Sequence, residues 1–158
     1  MPRFLACSGG GDRGVIQLGI LLEMYRKCGK KCVAYDEMAG ISVGGFTCAF
    51  LSQLTPDTFE KEIQRLISSF LNDSMCVVQP WVWGGPIVNF IDAVLYHSSM
   101  YNNEKLKKMI HEWYDPKKTI VPFRVGAYNK TLAQYESFSS SCHNMYTALL
   151  ASSAIPVI

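Results

Sequence analysis

The stretch Tyr35-Asp36-Glu37-Met38-Ala39-Gly40-Ile41-Ser42-Val43-Gly44-Gly45 decides how this 158-residue chain is read. Within it Gly40, Ser42 and Gly44 set out G-x-S-x-G, the spacing of a nucleophile elbow. The logic of that spacing is steric. A strand turns abruptly into a helix, and the residue at the apex is held in a strained conformation with its side chain exposed. Glycine is required two positions to either side, because a Cβ there would meet the neighbouring strand or helix. In a chain of average glycine and serine usage the pattern arises by chance with a probability of about 0.08. The flanks therefore carry the decision.

On the amino-terminal side, Arg3 to Ser8 reads as a short buried strand. Gly9-Gly10-Gly11-Asp12-Arg13-Gly14 follows, then a helical pattern to Cys28 with Val15, Leu18, Leu22 and Tyr25 on one face. Lys31 to Met38 is the second expected strand, running into the elbow, and a helix over 43–54 follows with Phe46, Ala49 and Phe50 inward. Strand, glycine loop, helix, strand, tight turn, helix implies parallel strands and an α/β sheet.

Further along, Thr55-Pro56 opens a helix that buries Phe59, Ile63, Leu66, Ile67 and Phe70. A turn at Asn72-Asp73-Ser74 leads to Trp81 and Trp83, and Gly85-Pro86 starts a helix through Ile87, Phe90, Ile91, Val94 and Leu95. Those tryptophans and that helix read either as core or as a lipid-facing wall. Asn102 or Asn103 caps a charged helix from Glu104 to Trp113 that packs through Leu106, Met109, Ile110 and Trp113. Strands are expected at Ile120–Tyr128 and Leu132–Phe138 around a turn near Asn129-Lys130, and a last helix from Met145 to Ser153.

Gly9, Gly11 and Gly14 also satisfy G-x-G-x-x-G, with Asp36 22 residues beyond Gly14. That is the layout of a dinucleotide-binding fingerprint, whose amides cradle a pyrophosphate at a helix N-terminus. The same amides equally receive a developing oxyanion. A nucleotide site has no use for a strained, exposed serine at the end of its second strand, whereas an acyl hydrolase needs both loops side by side.

The residues now reach a family. Ser8-Gly9-Gly10-Gly11-Asp12-Arg13-Gly14 resembles the G-G-G-x-R/K-G oxyanion motif of patatin-like phospholipases, and Asp36-x-x-Ala39-Gly40-x-Ser42-x-Gly44-Gly45 resembles that family's elbow. Ala151-Ser152-Ser153-Ala154-Ile155-Pro156 resembles its A-S-x-A-x-P segment. The resemblance implies a three-layer α/β/α fold with a mostly parallel central sheet and a Ser-Asp dyad without catalytic histidine. It implies Ser42 as nucleophile, amides around Gly9, Gly10 and Gly11 as oxyanion donors, and Arg13 as support for that loop. Gly14, Gly40 and Gly44 become the loop and elbow glycines. The substrate implied is a phospholipid or other acyl-ester lipid met at a membrane surface, cleaved without metal or organic cofactor.

The sequence also departs from the family. Its aspartate belongs to a D-G-G or D-G-A motif downstream of A-S-x-A-x-P, whereas Asp12, Asp36, Asp57, Asp73, Asp92 and Asp115 all lack a following glycine. Residues 1–158 are therefore expected to be one acyl hydrolase domain truncated at its C-terminus, with the aspartate in sequence beyond Ile158, or else a non-catalytic lipid-binding fragment. A Ser-Asp-His triad using Asp92 or Asp115 with His143 is a further alternative, with His97 and His111 as other histidines. Asp36, on the strand side of the elbow, reads as structural.

Composition narrows the rest. Hydrophobic residues make up 49% and charged residues 18%, as in a globular chain with a real core. A net charge of +2 gives no case for nucleic acid. Lys105, Lys107, Lys108, Lys117 and Lys118 read as solvated faces, with anionic lipid headgroups as the sharper alternative. The amino-terminal residues lack the apolar core of a signal peptide, so a cytoplasmic protein is expected, peripheral on membranes, with reduced thiols at its six cysteines and no use of the sequons at Asn72 and Asn129. Cys28-x-x-x-Cys32 lacks a second ligand pair for zinc.

Overall fold

The computed structural model describes residues 1–72, 85 and 104–154. The Asp73 turn, Cys76, Trp81, Trp83, the helix expected after Pro86, Asp92, His97, the Asn102/Asn103 cap, and Ile155-Pro156 lie outside the described residues, as does the side chain of Asp12.

Strand β1 (Phe4–Cys7) leads through the glycine loop and a 3-10 turn (Gly11–Arg13) into helix α1 (Gly14–Cys28). Strand β2 (Glu37–Ile41) then enters helix α2 (Val43–Leu51) through Ser42 alone. Helix α3 (Phe59–Asn72), helix α4 (Glu104–Trp113), the hairpin of β3 (Phe123–Asn129) and β4 (Gln134–Ser139), and helix α5 (Met145–Ser153) complete the described elements. The sheet order is β1-β2-β3-β4; the first three strands are parallel and β4 is antiparallel to β3. This is the α/β fold with a mostly parallel sheet that the two loops imply.

Several boundaries differ from the sequence expectation: α2 ends at Leu51 rather than Leu54, β3 starts at Phe123 rather than Ile120, and β4 at Gln134 rather than Leu132. The second strand does not span Lys31–Met38: Gly29, at φ 77°, ends α1, and Lys30–Val33 form a 3-10 turn instead. The strand starts at Glu37 and runs through Gly40 and Ile41, so Gly40 sits in the sheet itself, paired with Cys7 and Val125. Helix α3 starts at Phe59 rather than Pro56, because Thr55 and Thr58 close a turn through hydroxyl and backbone bonds.

Strand alternation puts Leu5, Cys7, Met38, Phe123, Val125 and Ala127 on the helix-covered face. Helix α2 is buried at every position from Val43 to Leu51, which makes it the axis of the core. Helices α1 and α3 pack through stacked Tyr25 and Phe59 rings at 5.3 Å, and α4 turns Trp113 edge-on to Phe50 at 5.8 Å. Gln53 ties the end of α2 to the end of α4: its amide donates to the Trp113 carbonyl (2.9 Å) and accepts from the Asp115 N–H (2.8 Å). The other face of the sheet carries Phe4, Ala6, Ala39 and Arg124, exposed among the described residues, with Arg124 paired to Glu37 at 3.0 Å.

The sheet and α2 approach each other at backbone distance. A Cβ on Gly44 would overlap the Cys7 carbonyl and lie 2.6 Å from the Ser8 carbonyl oxygen. One on Gly40 would collide with the Gly44 carbonyl and sit 2.6 Å from the Gly45 nitrogen, and one on Gly14 would run into the side chain of Val43. Gly19, inside α1, has nothing within 4 Å of its missing Cβ. Chemical denaturation of Gly44→Ala is expected to show a loss of about 3 kcal/mol or more, since backbone cannot yield as a side chain does. Gly19→Ala is expected to gain about 0.5–1 kcal/mol from helix propensity, and equal effects at the two sites would contradict this packing.

Candidate active site

Ser42 has φ 55° and ψ −129°, a conformation that costs a non-glycine residue about 1–3 kcal/mol. The strain follows from its neighbours. Ile41 is still in the ladder beside Gly126 and Val43 is already helical, so a single residue makes the whole turn. Ser42 is half-buried and precedes the first turn of α2, where the helix dipole presents its positive end.

The glycine loop lies directly against it. A Cβ on Gly9 would stand 3.2 Å from the Ser42 Cβ and 3.5 Å from the Ile41 carbonyl oxygen. Gly10 (φ 152°) and Gly11 (φ 56°) take conformations that disfavour side chains, and the Arg13 N–H donates back to the Gly10 carbonyl at 3.2 Å. The N–H groups that open a helix have no acceptor within it, so this loop presents amides at the head of α1. Gln17, one turn into α1, donates to the Ser8 carbonyl at 2.8 Å and fixes the start of the loop. Arg13 is exposed at the N-cap and makes no capping bond with its side chain. Gly14 and Val43 hold the first turns of α1 and α2 together. Beneath them the Cys7 and Cys48 thiols are buried together, and the neighbouring Cys7 with burial pushes the Cys48 thiol up.

Beside Ile41 a cavity of about 480 Å³ is lined by Ile41, Ala127, Tyr128, Tyr135, Ala151 and Ser152, among others; Ser42 itself is not in its lining. Tyr128 and Tyr135 meet edge to face across the hairpin at 5.3 Å and form its outer wall. Ser152, in the last turn of α5, accepts the Ser42 N–H at 2.7 Å and donates to the Gly126 carbonyl at 2.6 Å. Sequence reasoning set Ser152 in a motif but assigned it no task, and Gln17 and the hairpin tyrosines carried no signal of their own.

Among the described residues the structure does not bring the other candidate groups to Ser42. Asp36 lies before β2, at the far end of the strand from the elbow, where its carboxylate accepts the Arg3 N–H at 2.6 Å. It is structural, as expected, and it is at the wrong end of β2 for the acidic residue of a dinucleotide fingerprint. Asp57 pairs with Lys30, and Asp115 caps the turn at Pro116 by accepting the Lys117 N–H at 3.0 Å. His143 is exposed ahead of α5, whose nine residues span about 13 Å before they reach the elbow. His111 stacks on Tyr146 at 4.2 Å, at that same remote end of α5. Among the described residues no helix is long and apolar enough to cross a membrane, and none of the His, Cys, Asp and Glu side chains group as metal ligands.

Comparison with known proteins bears on the fold and the family. A chain in the heterodimeric ExoU–SpcU complex from the type III secretion system of Pseudomonas aeruginosa aligns over 99% of this chain and 37% of its own, at 17% identity and TM-score 0.53. Full-length ExoU with full-length SpcU, from the same organism, gives 18% identity and TM-score 0.50 over 98% of this chain and 38% of that one. VipD from Legionella pneumophila gives 12% identity and TM-score 0.47, over 96% and 41%. The chain thus spans well under half the length of these structures, and at such identities the two ExoU structures show the fold alone. Comparison with curated proteins gives no match. The patatin-like phospholipase family model matches residues 5–158, nearly the whole sequence, and the chain belongs to that family.

Proposed function

We propose that this chain supplies the nucleophile and the oxyanion-binding loop of a serine lipid acyl hydrolase of the phospholipase A or lipase type. The observation that carries the reading is the placing of Ser42, strained and half-buried, directly against Gly9 at the head of the triple-glycine loop. In this reading the Ser42 Oγ attacks the ester carbonyl carbon as its proton passes to the dyad aspartate. The carbonyl oxygen takes the negative charge and is received by amides of Gly10 and Gly11, with Arg13 adding positive potential. Each such donor contributes on the order of 3 kcal/mol to the barrier in comparable sites. The alcohol leaves with the proton, and water then cleaves the acyl-Ser42 ester by the same steps in reverse order.

The acyl chain lies in the cavity beside Ile41, whose volume of about 480 Å³ falls in the range of small-molecule sites. In this reading the aspartate comes from sequence outside residues 1–158, as the family's Asp-Gly motif implies; Asp36, Asp57 and Asp115, the aspartates with described side chains, are engaged away from Ser42. The substrate is an acyl-ester lipid, met by a cytoplasmic protein that touches the membrane surface transiently. That same separation of carboxylates from Ser42 favours a second reading, in which the 158 residues on their own bind lipid without turning it over.

A fluorophosphonate probe is expected to label Ser42 in the protein at its natural length, and Ser42→Ala to abolish the labelling and lower ester turnover at least about 1000-fold. A folded, unlabelled protein that binds lipid vesicles without turnover would replace the first reading with the second. Turnover that survives Ser42→Ala would exclude both Ser42 and the mechanism. Ala151→Phe is expected to depress hydrolysis of long-chain esters far more than of acetyl esters, in parallel kcat/KM measurements. An equal loss on both would remove the cavity from the acyl path.

A further inference from the structure

We infer that Ser152 is a positioning residue that sets the orientation of Ser42; as a role in catalysis this rests on the proposed hydrolase reading, and as geometry it does not. The two hydrogen bonds leave its hydroxyl one arrangement. A carbonyl can only accept, so the single hydroxyl proton points to Gly126; an N–H can only donate, so the oxygen lone pair faces Ser42. At 2.7 Å and 2.6 Å both bonds are short, and they join the elbow, the middle of β3 and the last turn of α5 in one node.

The node acts on the torsion that matters. A peptide N–H held in direction fixes the rotation about the neighbouring N–Cα bond, and in Ser42 that rotation is the strained one, at φ 55°. The bond therefore keeps Ser42 in a conformation it would otherwise relax from, and so aims its Oγ. It also consumes the Ser42 amide, which is thereby unavailable to an oxyanion. Ser152 lines the cavity as well, so loss of its hydroxyl admits water to the freed N–H and carbonyl. The predicted consequence is a fold left intact with its nucleophile misaimed.

The test compares Ser152→Ala and Ser152→Thr with the unaltered protein at its natural length, through fluorophosphonate labelling rate per folded molecule, kcat and KM, thermal midpoint, and amide exchange at Ser42. Ser152→Ala is expected to slow labelling and kcat about 100-fold with KM and thermal midpoint nearly unchanged. The Ser42 amide should exchange at least about tenfold faster while the amides of Cys48 to Leu51 remain protected. Ser152→Thr keeps the hydroxyl, sends its methyl group into the cavity, and should behave close to the unaltered protein. Labelling of Ser152→Ala at the original rate, or equal losses in the Ala and Thr variants, would overturn the positioning role. If the unaltered protein is itself unlabelled, the hydrolase reading fails, and Ser42 exchange alone decides: acceleration in Ser152→Ala sustains the node and no change refutes it.

Discussion

The structure depends on one contact between main chains: Gly44, in the first turn of α2, pressed against the carbonyls of Cys7 and Ser8 where β1 ends. Nothing larger than a hydrogen atom fits between them. Gly40 repeats the arrangement on the other side of the turn, against Gly44 and Gly45. With helix and strand this close, the chain has a single residue in which to pass from β2 to α2, and that residue is forced to φ 55°. The same closeness brings the loop after β1 up to the Ser42 side chain. The forced turn at Ser42 and the proximity of the loop are thus two results of one packing constraint.

The strain stored at Ser42 is offset by what surrounds it. Helix α2 is buried along its whole length and cannot shift to relieve the turn. Gly14 against Val43 locks the two helix starts together, and the Cys7–Cys48 contact binds strand to helix one turn further in. From the opposite side α5 reaches the elbow through Ser152. Ser42 is therefore held from three directions, and its neighbours Ile41 and Ser152 line the cavity between the hairpin and α5.

Much of this was legible in the sequence where short-range sterics govern. Gly40, Ser42 and Gly44 announced the turn, the glycines from Gly9 to Gly14 announced the loop, and the periodicity of 104–113 and 145–153 gave α4 and α5 at their observed ends. The second strand was misplaced because Cys32 to Tyr35 form an apolar run like a buried strand, while Gly29, at positive φ, and the end of α1 commit Lys30 to Val33 to a 3-10 turn. The partners that depend on long-range packing could not be read from spacing. Ser152 lies 110 residues from Ser42, and only the completed sheet brings the two together. Asp36 shows the converse: near the elbow in sequence, it is separated from it by the length of β2.

In the proposed hydrolase the Ser42 hydroxyl and the amides of the glycine loop act on one reacting carbonyl. A crystal structure of the protein carrying a phosphonate on Ser42 tests it most directly. The account predicts a phosphonyl oxygen within about 2.7–3.1 Å of the N–H groups of Gly10 and Gly11, with the alkyl arm in the cavity beside Ile41. A phosphonyl oxygen turned away from that loop, or a phosphonate bound to any residue other than Ser42, would contradict it.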